Sequence, residues 1–337
     1  MEYFNNHKKL FLTVLGLYLA LTLLVAVIPA IYNQNNNAPL PGAEQLHGDA
    51  LKGKALYVAN GCVACHTQQV RNIDMDKVWG NRPSIAADYA ANRRTDFWRN
   101  TATLMGTERT GPDLTNIGNR QPSVDWQLLH LYQPRAVVKQ SIMPAYQWMF
   151  EYKEKPSKND KVVNVPAEFM NGRKGKIVAK PEAMQLVAYL FTLKQIKLPD
   201  GTKPPEFLYK KELKQTVGAG GAASTELDGA SLYTANCQSC HQENGQGLPG
   251  AFPPLKGSKV VLDDNHNIMV DIIMNGYSGR AAEGFGPMPP VGTMNNLTAE
   301  EISAIMNHEK TSWGNNAKKI TVEEVKQLME AVKTKAK

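Results

Sequence analysis

Four cysteines occur in the 337 residues, and all four belong to two copies of one short pattern. The first is Cys62-Val63-Ala64-Cys65-His66 and the second is Cys237-Gln238-Ser239-Cys240-His241. Two thiols and an imidazole within five positions suit only a few kinds of chemistry. A redox-active dithiol needs a β-α-β setting, which the flanking residues do not announce. A structural zinc site needs a fourth ligand from elsewhere in the chain. A disulfide between cysteines this close closes a loop too short to stabilise much. A c-type haem uses all three residues: the thiols add to the porphyrin vinyl groups, and the histidine becomes an axial ligand of the iron. The sequence therefore predicts two covalently bound haem c groups, attached at Cys62, Cys65, Cys237 and Cys240, with His66 and His241 on the irons.

An electron-carrying haem is well served by a methionine on its opposite face, because the thioether favours the ferrous state and raises the potential. Two Met-Pro pairs stand in corresponding places, Met143 in "SIMPAY" and Met288 in "GPMPPVG", each shortly before a terminal helix. These are the expected sixth ligands; Met105, Met274 and Met294 are the competitors among 13 methionines. The axial histidines need acceptors for their other ring nitrogen. "RTGPDL" can supply the carbonyl of Pro112, and "FPPLKGS" that of Pro253 or Pro254. Arg109 is a candidate partner for haem propionate charge. His47, His130, His266 and His308 are expected at the surface or in hydrogen bonds rather than on iron.

These groups must be positioned by folded elements, and the chain shows them twice. "GKALYVANGCVACH" (53–66) and "GASLYTANCQSCH" (229–241) share G-x-x-L-Y-x-A-N ahead of the cysteines, each reading as a short helix leading into the motif. Both halves also close with apolar-periodic segments, "PEAMQLVAYLFTLK" and "TAEEISAIMNHEKTSW", the latter opened by a Thr298/Glu301 capping box. No convincing run of alternating strand residues is present. The fold class expected is all-α: a single transmembrane helix followed by two haem domains.

Ahead of both halves lies Phe11 to Ile31, 21 residues without a charge, about 31 Å long as a helix and matched to a bilayer. It is longer than a signal-peptide core and lacks a small-residue cleavage site. Pro29 falls where the helix is expected to be ending. Lys8 and Lys9 precede the span, which places the N-terminus in the cytoplasm and the remainder on the outer, periplasmic side of a bacterial inner membrane. The expected organisation is an anchor (1–32), a tether (33–47), a first domain (48–197), a Gly- and Ala-containing linker (198–226) with a helical-looking basic patch, and a second domain (227–337). A net charge of +7 without aromatic-interleaved basic stripes gives no case for a nucleic-acid partner. Residues 153–180 hold eight Lys/Arg against three Asp/Glu and read as a solvated loop.

Taken in order, the anchor, "GCVACHTQQVR", "RTGPDLTNIGNR", "HLYQPRAVV" and "SIMPAYQWM" resemble subunit II of the cbb(3)-type haem–copper oxidases, over roughly residues 1–195. Residues 227–337 are similar to class I cytochrome c domains, a broader group. That subunit ordinarily carries one haem, so the resemblance implies a fusion with a second cytochrome domain. It further implies an electron-transfer subunit without catalytic residues of its own. It would take electrons from a soluble or membrane-bound donor and pass them to an integral membrane haem–copper subunit that reduces oxygen. Two alternatives stay open: the electron-transfer subunit of a nitric oxide reductase of the same superfamily, and a dihaem cytochrome c peroxidase.

Overall fold

The computed structural model describes residues 2–36, 46–89, 108–199, 201–208, 227–249, 251–283 and 285–335, with Leu104 and Gly106. The described residues are mostly helical with little strand, so the mostly helical expectation holds.

The first long helix, α1 (His7–Asn36), has a mean hydropathy of 2.6 over its most apolar window and buries none of it against the protein. It is the one helix among the described residues that is long and apolar enough to cross a membrane. The helix does not stop near Pro29. A π-helical stretch, Thr22–Val27, widens the turn ahead of the proline, after which helix resumes over Ile28–Asn36. Proline removes one helical N–H and pushes against the carbonyl four residues earlier; a widened turn relieves that clash. The expected tether is therefore helical over its first residues, to Asn36, and residues 37–45 of it lie outside the described set. The basic patch expected within the linker also lies outside it.

The repeated sequence forms a repeated pair of crossing helices. Helix α2 (Gly48–Ala59) packs on α6 (Pro181–Thr192), with α3 (Cys62–Cys65), α4 (Ile117–Arg120) and α5 (Val124–Tyr132) between them in the chain. In the C-terminal half α7 (Gly229–Asn236) packs on α10 (Ala299–Thr311); α8 (Gln238–His241) and α9 (Asn267–Asn275) lie between, and α11 (Val322–Lys335) follows. The shared glycine is the contact point. A Cβ on Gly53 would lie 1.9 Å from the Gln185 carbonyl oxygen, and one on Gly229 would lie 2.2 Å from that of Ala304. The shared tyrosines follow one turn later. Tyr57 packs on Tyr189 with ring centroids 5.5 Å apart, and Tyr233 on Trp313 at 5.1 Å. The Thr298/Glu301 capping box forms as expected.

Residues 150–179 depart from the all-α expectation. They contain a small antiparallel sheet in the order β1 (Phe150–Lys153), β3 (Lys176–Ala179), β2 (Val162–Val163). Strands of two and four residues are too short to display a period of two. Neighbouring Ile177 and Val178 are both buried, so no inside-outside alternation is legible there. The basic stretch read as a solvated loop is thus partly folded. Lys153 pairs with Glu151 and Asp160, and Lys161 with Asp125.

Candidate cofactor sites

Both cysteine motifs open onto one cavity of about 780 Å³. Cys62, Cys65, His66 and Met143 line it from the N-terminal half, and Cys237, Cys240, His241 and Met288 from the C-terminal half. All eight residues singled out by spacing thus face a common space.

The histidines are oriented alike. His66 Nδ1 lies 2.8 Å from the Pro112 carbonyl oxygen, and His241 Nδ1 lies 3.0 Å from that of Pro253. The N–H on Nδ1 donates to these carbonyls, which leaves the Nε2 lone pair for a metal. Burial lowers the pKa of both rings, and the bonds to Pro112 and Pro253 only partly oppose it, so the imidazoles are held neutral. Gly111 allows the carbonyl-bearing turn its close approach: a Cβ there would fall 2.4 Å from His66 Cε1.

Three of the four thiols lack the activation expected of a reactive dithiol. Burial raises the pKa of Cys62, Cys237 and Cys240, whereas redox and nucleophilic cysteines are activated by a lowered one. The four cysteines are unpaired. Among the described residues no group of three or more His, Cys, Asp or Glu is arranged to hold a metal ion, so the zinc reading lacks its remaining ligands. An apolar cavity, neutral imidazoles and thiols opening into the same space fit a covalently attached haem.

Met143 is half-buried against the core, in the loop before Tyr146. Met288 is held by paired backbone bonds to Tyr277, at 2.8 and 2.9 Å. Among the competitors, Met294 also lines the cavity, Met274 is buried in the C-terminal core, and Met105 lies outside the described residues.

Arg109 has a different place from the one expected. Its guanidinium is enclosed by Asp76, the Gln69 carbonyl at 2.6 Å and the Thr67 hydroxyl at 3.0 Å, and it stacks 5.0 Å from the centre of the Trp79 ring. It is spent on holding the loop that follows the first motif. Arg120 and Arg280 both line the cavity; Arg280 is paired with Glu283, whereas Arg120 is bonded to the Asp113 carbonyl at 2.9 Å and has a buried Nε with no protein partner. Burial pulls its pKa down to about 10 against the pull of Asp113. A buried, unpartnered N–H on a residue that lines the cavity fits the carboxylate groups of a haem. Arg120 ends the "RTGPDLTNIGNR" stretch, so its position in the motif was visible but not its direction.

Two more cavity residues carried no sequence signal. His130, expected at the surface or in a hydrogen bond, is instead half-buried, with an enclosed Nδ1 that has no partner. It is stacked on Trp126 with centroids 4.7 Å apart, and burial lowers its pKa to about 4. Glu309 is buried beside Cys237, and burial pushes its carboxyl up to about 8. The remaining histidines behave as expected: His47 is exposed, His266 bonds Glu324 at 2.6 Å, and His308 lies 3.2 Å from the Ser312 hydroxyl.

The family model for the cytochrome c oxidase mono-haem subunit, FixO, matches residues 2–172, and the cytochrome c model matches residues 227–313. Cytochrome c-552 of Thermus thermophilus is 37% identical over 129 residues, 35% of this chain and 86% of that protein. The cytochrome c subunit of a quinone alcohol dehydrogenase from Gluconacetobacter polyoxogenes is 31% identical over 121 residues, 33% of this chain and 24% of that protein. Cytochrome c6 of Microcystis aeruginosa is 32% identical over 81 residues, 24% of this chain and 89% of that protein.

Proposed function

Since the chain belongs to the mono-haem (FixO) subunit family of cytochrome c oxidases, we propose that it is a dihaem member of it. In this reading it carries electrons from a donor to the integral membrane haem–copper subunit of an oxygen-reducing oxidase. A cytochrome c electron-transfer subunit of an oxidase-type complex follows from the family, and so does covalent haem. The second haem, the acceptor and the direction of transfer are the further steps proposed.

The observation that carries the reading is the repeated constellation. Each half brings a Cys-x-x-Cys-His motif and a Met-Pro loop to the shared cavity, with the histidine ring oriented by a proline carbonyl. His66 and Met143 are assigned to one iron and His241 and Met288 to the other. Bound there, haem supplies a reversible one-electron couple. The protein holds neutral imidazoles on it, keeps the site apolar, and offers Arg120 to its carboxylates. The haem domains are assigned to 48–197 and 227–337, on the periplasmic side of a bacterial inner membrane. Helix α1, with Lys8 and Lys9 at its start, is retained as the anchor. An anchored shape with both Met loops in place favours electron transfer over peroxide chemistry, which needs a releasable iron position.

The test is to purify the chain from its native membrane under mild detergent and identify the integral subunit that accompanies it. A partner with copper beside a high-spin haem supports the oxidase. A partner with non-haem iron in that place replaces oxygen with nitric oxide, and a chain that purifies alone and turns over peroxide sinks the proposal.

A further inference from the structure

A flexible linker would leave the two halves free to move apart, yet they share an interface built around the second cysteine motif. The Trp126 indole N–H donates to the backbone carbonyl of Ser239, inside the motif, at 3.0 Å. The Gln121 side-chain amide donates to Cys240 Sγ at 3.2 Å. Both donors are buried, and Gln121 is itself fixed by Gln127, which bonds its backbone carbonyl at 3.1 Å. The apolar core of the N-terminal half continues across the junction through Leu248, Ala251 and Phe252. At the rim, Lys77 pairs with Glu301 at 3.3 Å, and Asn296 bonds the Asn81 carbonyl at 2.6 Å.

We propose that this contact fixes the two haem domains as one electron-transfer body, with Gln121 and Trp126 forming the bridge between the haems. This rests on the dihaem reading above. A sulfur that has become a thioether still accepts a weak hydrogen bond, so the Gln121 contact survives haem attachment. From Ser239 the bridge runs through the Trp126 indole to the stacked His130 ring, which lines the cavity beside the first motif. The links from Ser239 to Trp126 and from Trp126 to His130 are a hydrogen bond and a ring stack. In the transfer one electron leaves the ferrous iron held by the second motif and reduces the ferric iron held by the first. No bond is made or broken and no proton moves. The burial also covers the attachment edge of the second haem, so an external donor must approach that haem by another face.

Two measurements on the full-length chain in detergent test this. A zero-length carbodiimide should couple Lys77 to Glu301 within one molecule at all protein concentrations, as read by peptide mass spectrometry. After a one-electron radiolytic pulse, redistribution between the haems should be concentration-independent. The pair Gln121→Ala and Trp126→Ala should slow it several-fold while both haem spectra persist. Trp126→Phe, which keeps an aromatic ring for the His130 stack but loses the N–H, should slow it less. An unchanged rate in the double variant with intact spectra overturns the bridge. If the variants lose haem, the parent protein decides: absence of the Lys77–Glu301 product, or redistribution that scales with concentration, overturns the fixed body. Neither readout involves the membrane partner, so failure here is distinguishable from failure of the oxidase assignment.

Discussion

His66 Nδ1 lies 2.8 Å from the Pro112 carbonyl oxygen, 46 positions along the chain, and His241 repeats the relationship with Pro253 at 3.0 Å over only 12. The same ring orientation is reached with loops of very different length. What is held constant is the carbonyl, because it fixes which imidazole nitrogen faces the cavity.

Two covalent haems are expected from the paired motifs. Intact mass should show two haem additions, and denaturing electrophoresis should retain peroxidase-active stain on the band. Each of Cys62→Ala/Cys65→Ala and Cys237→Ala/Cys240→Ala should remove one addition and leave the other. A chain with no addition, or one that returns zinc instead, contradicts the haem reading.

Met143→Ala and Met288→Ala should each convert one haem to high spin and lower its potential, since loss of the thioether removes the ligand that favours ferrous iron. Optical spectra with a redox titration read both effects. If Met288→Ala leaves the spectrum unchanged, Met294 is the next ligand to test, as it lines the same cavity.

Gly53→Ala and Gly229→Ala should each destabilise the protein. Alanine gains about 1 kcal/mol of helix propensity. The new methyl would stand about 2 Å from a backbone carbonyl, however, and overpacking of that kind costs about 1–3 kcal/mol or more. The clash is with backbone and cannot rotate away, so it should win. Thermal unfolding followed by circular dichroism should show a lower Tm for both.

Arg109→Met should destabilise the N-terminal half without altering the haem environment directly. Asp76 is fully buried and would lose a partner, leaving Arg71 alone beside it. Leaving a buried charge without any partner costs about 3–5 kcal/mol, and because Arg71 stays bonded to Asp76 the loss here should be smaller than that. Arg120→Leu should instead shift a haem potential, because Arg120 lines the cavity and its Nε has no protein partner. A potential shift in Arg109→Met equal to that in Arg120→Leu would reverse the two roles.

The Glu309 contribution to stability should fall as pH rises from about 4.5 towards 8. His130, held neutral down to about 4, acts in the opposite direction below 6.5, so the net fall is read above 6.5. Burial raises the Glu309 carboxyl from 4.5 to about 8, so between those values the folded state holds a proton that the unfolded state releases. The contribution is complete below 4.5 and lost above 8, with a slope of at most about 1.4 kcal/mol per pH unit from this group. Glu309→Gln should flatten that part of the profile, as measured by denaturant unfolding at several pH values. A parallel slope in the variant would assign the dependence elsewhere.

What the sequence by itself determined is local. The motifs, the Met-Pro loops, the capping box and the apolar span are each written in residues a few positions apart, where spacing alone dictates chemistry or periodicity. Even the glycine that allows each helix pair to cross was visible, as an unexplained identity between the two halves. The tertiary structure decided what depends on distant residues meeting. Gln121 reaches Cys240 across 119 positions, and Trp126 reaches Ser239 across 113. Nothing about a glutamine or a tryptophan announces such a partner. The same holds for the two arginines of one motif. Arg109 and Arg120 are equivalent as letters, and only the packing turns one onto Asp76 and sets the other in the cavity lining. Burial, which sets Glu309 and His130 apart from ordinary carboxyls and imidazoles, is a property of the assembled fold rather than of any segment within it.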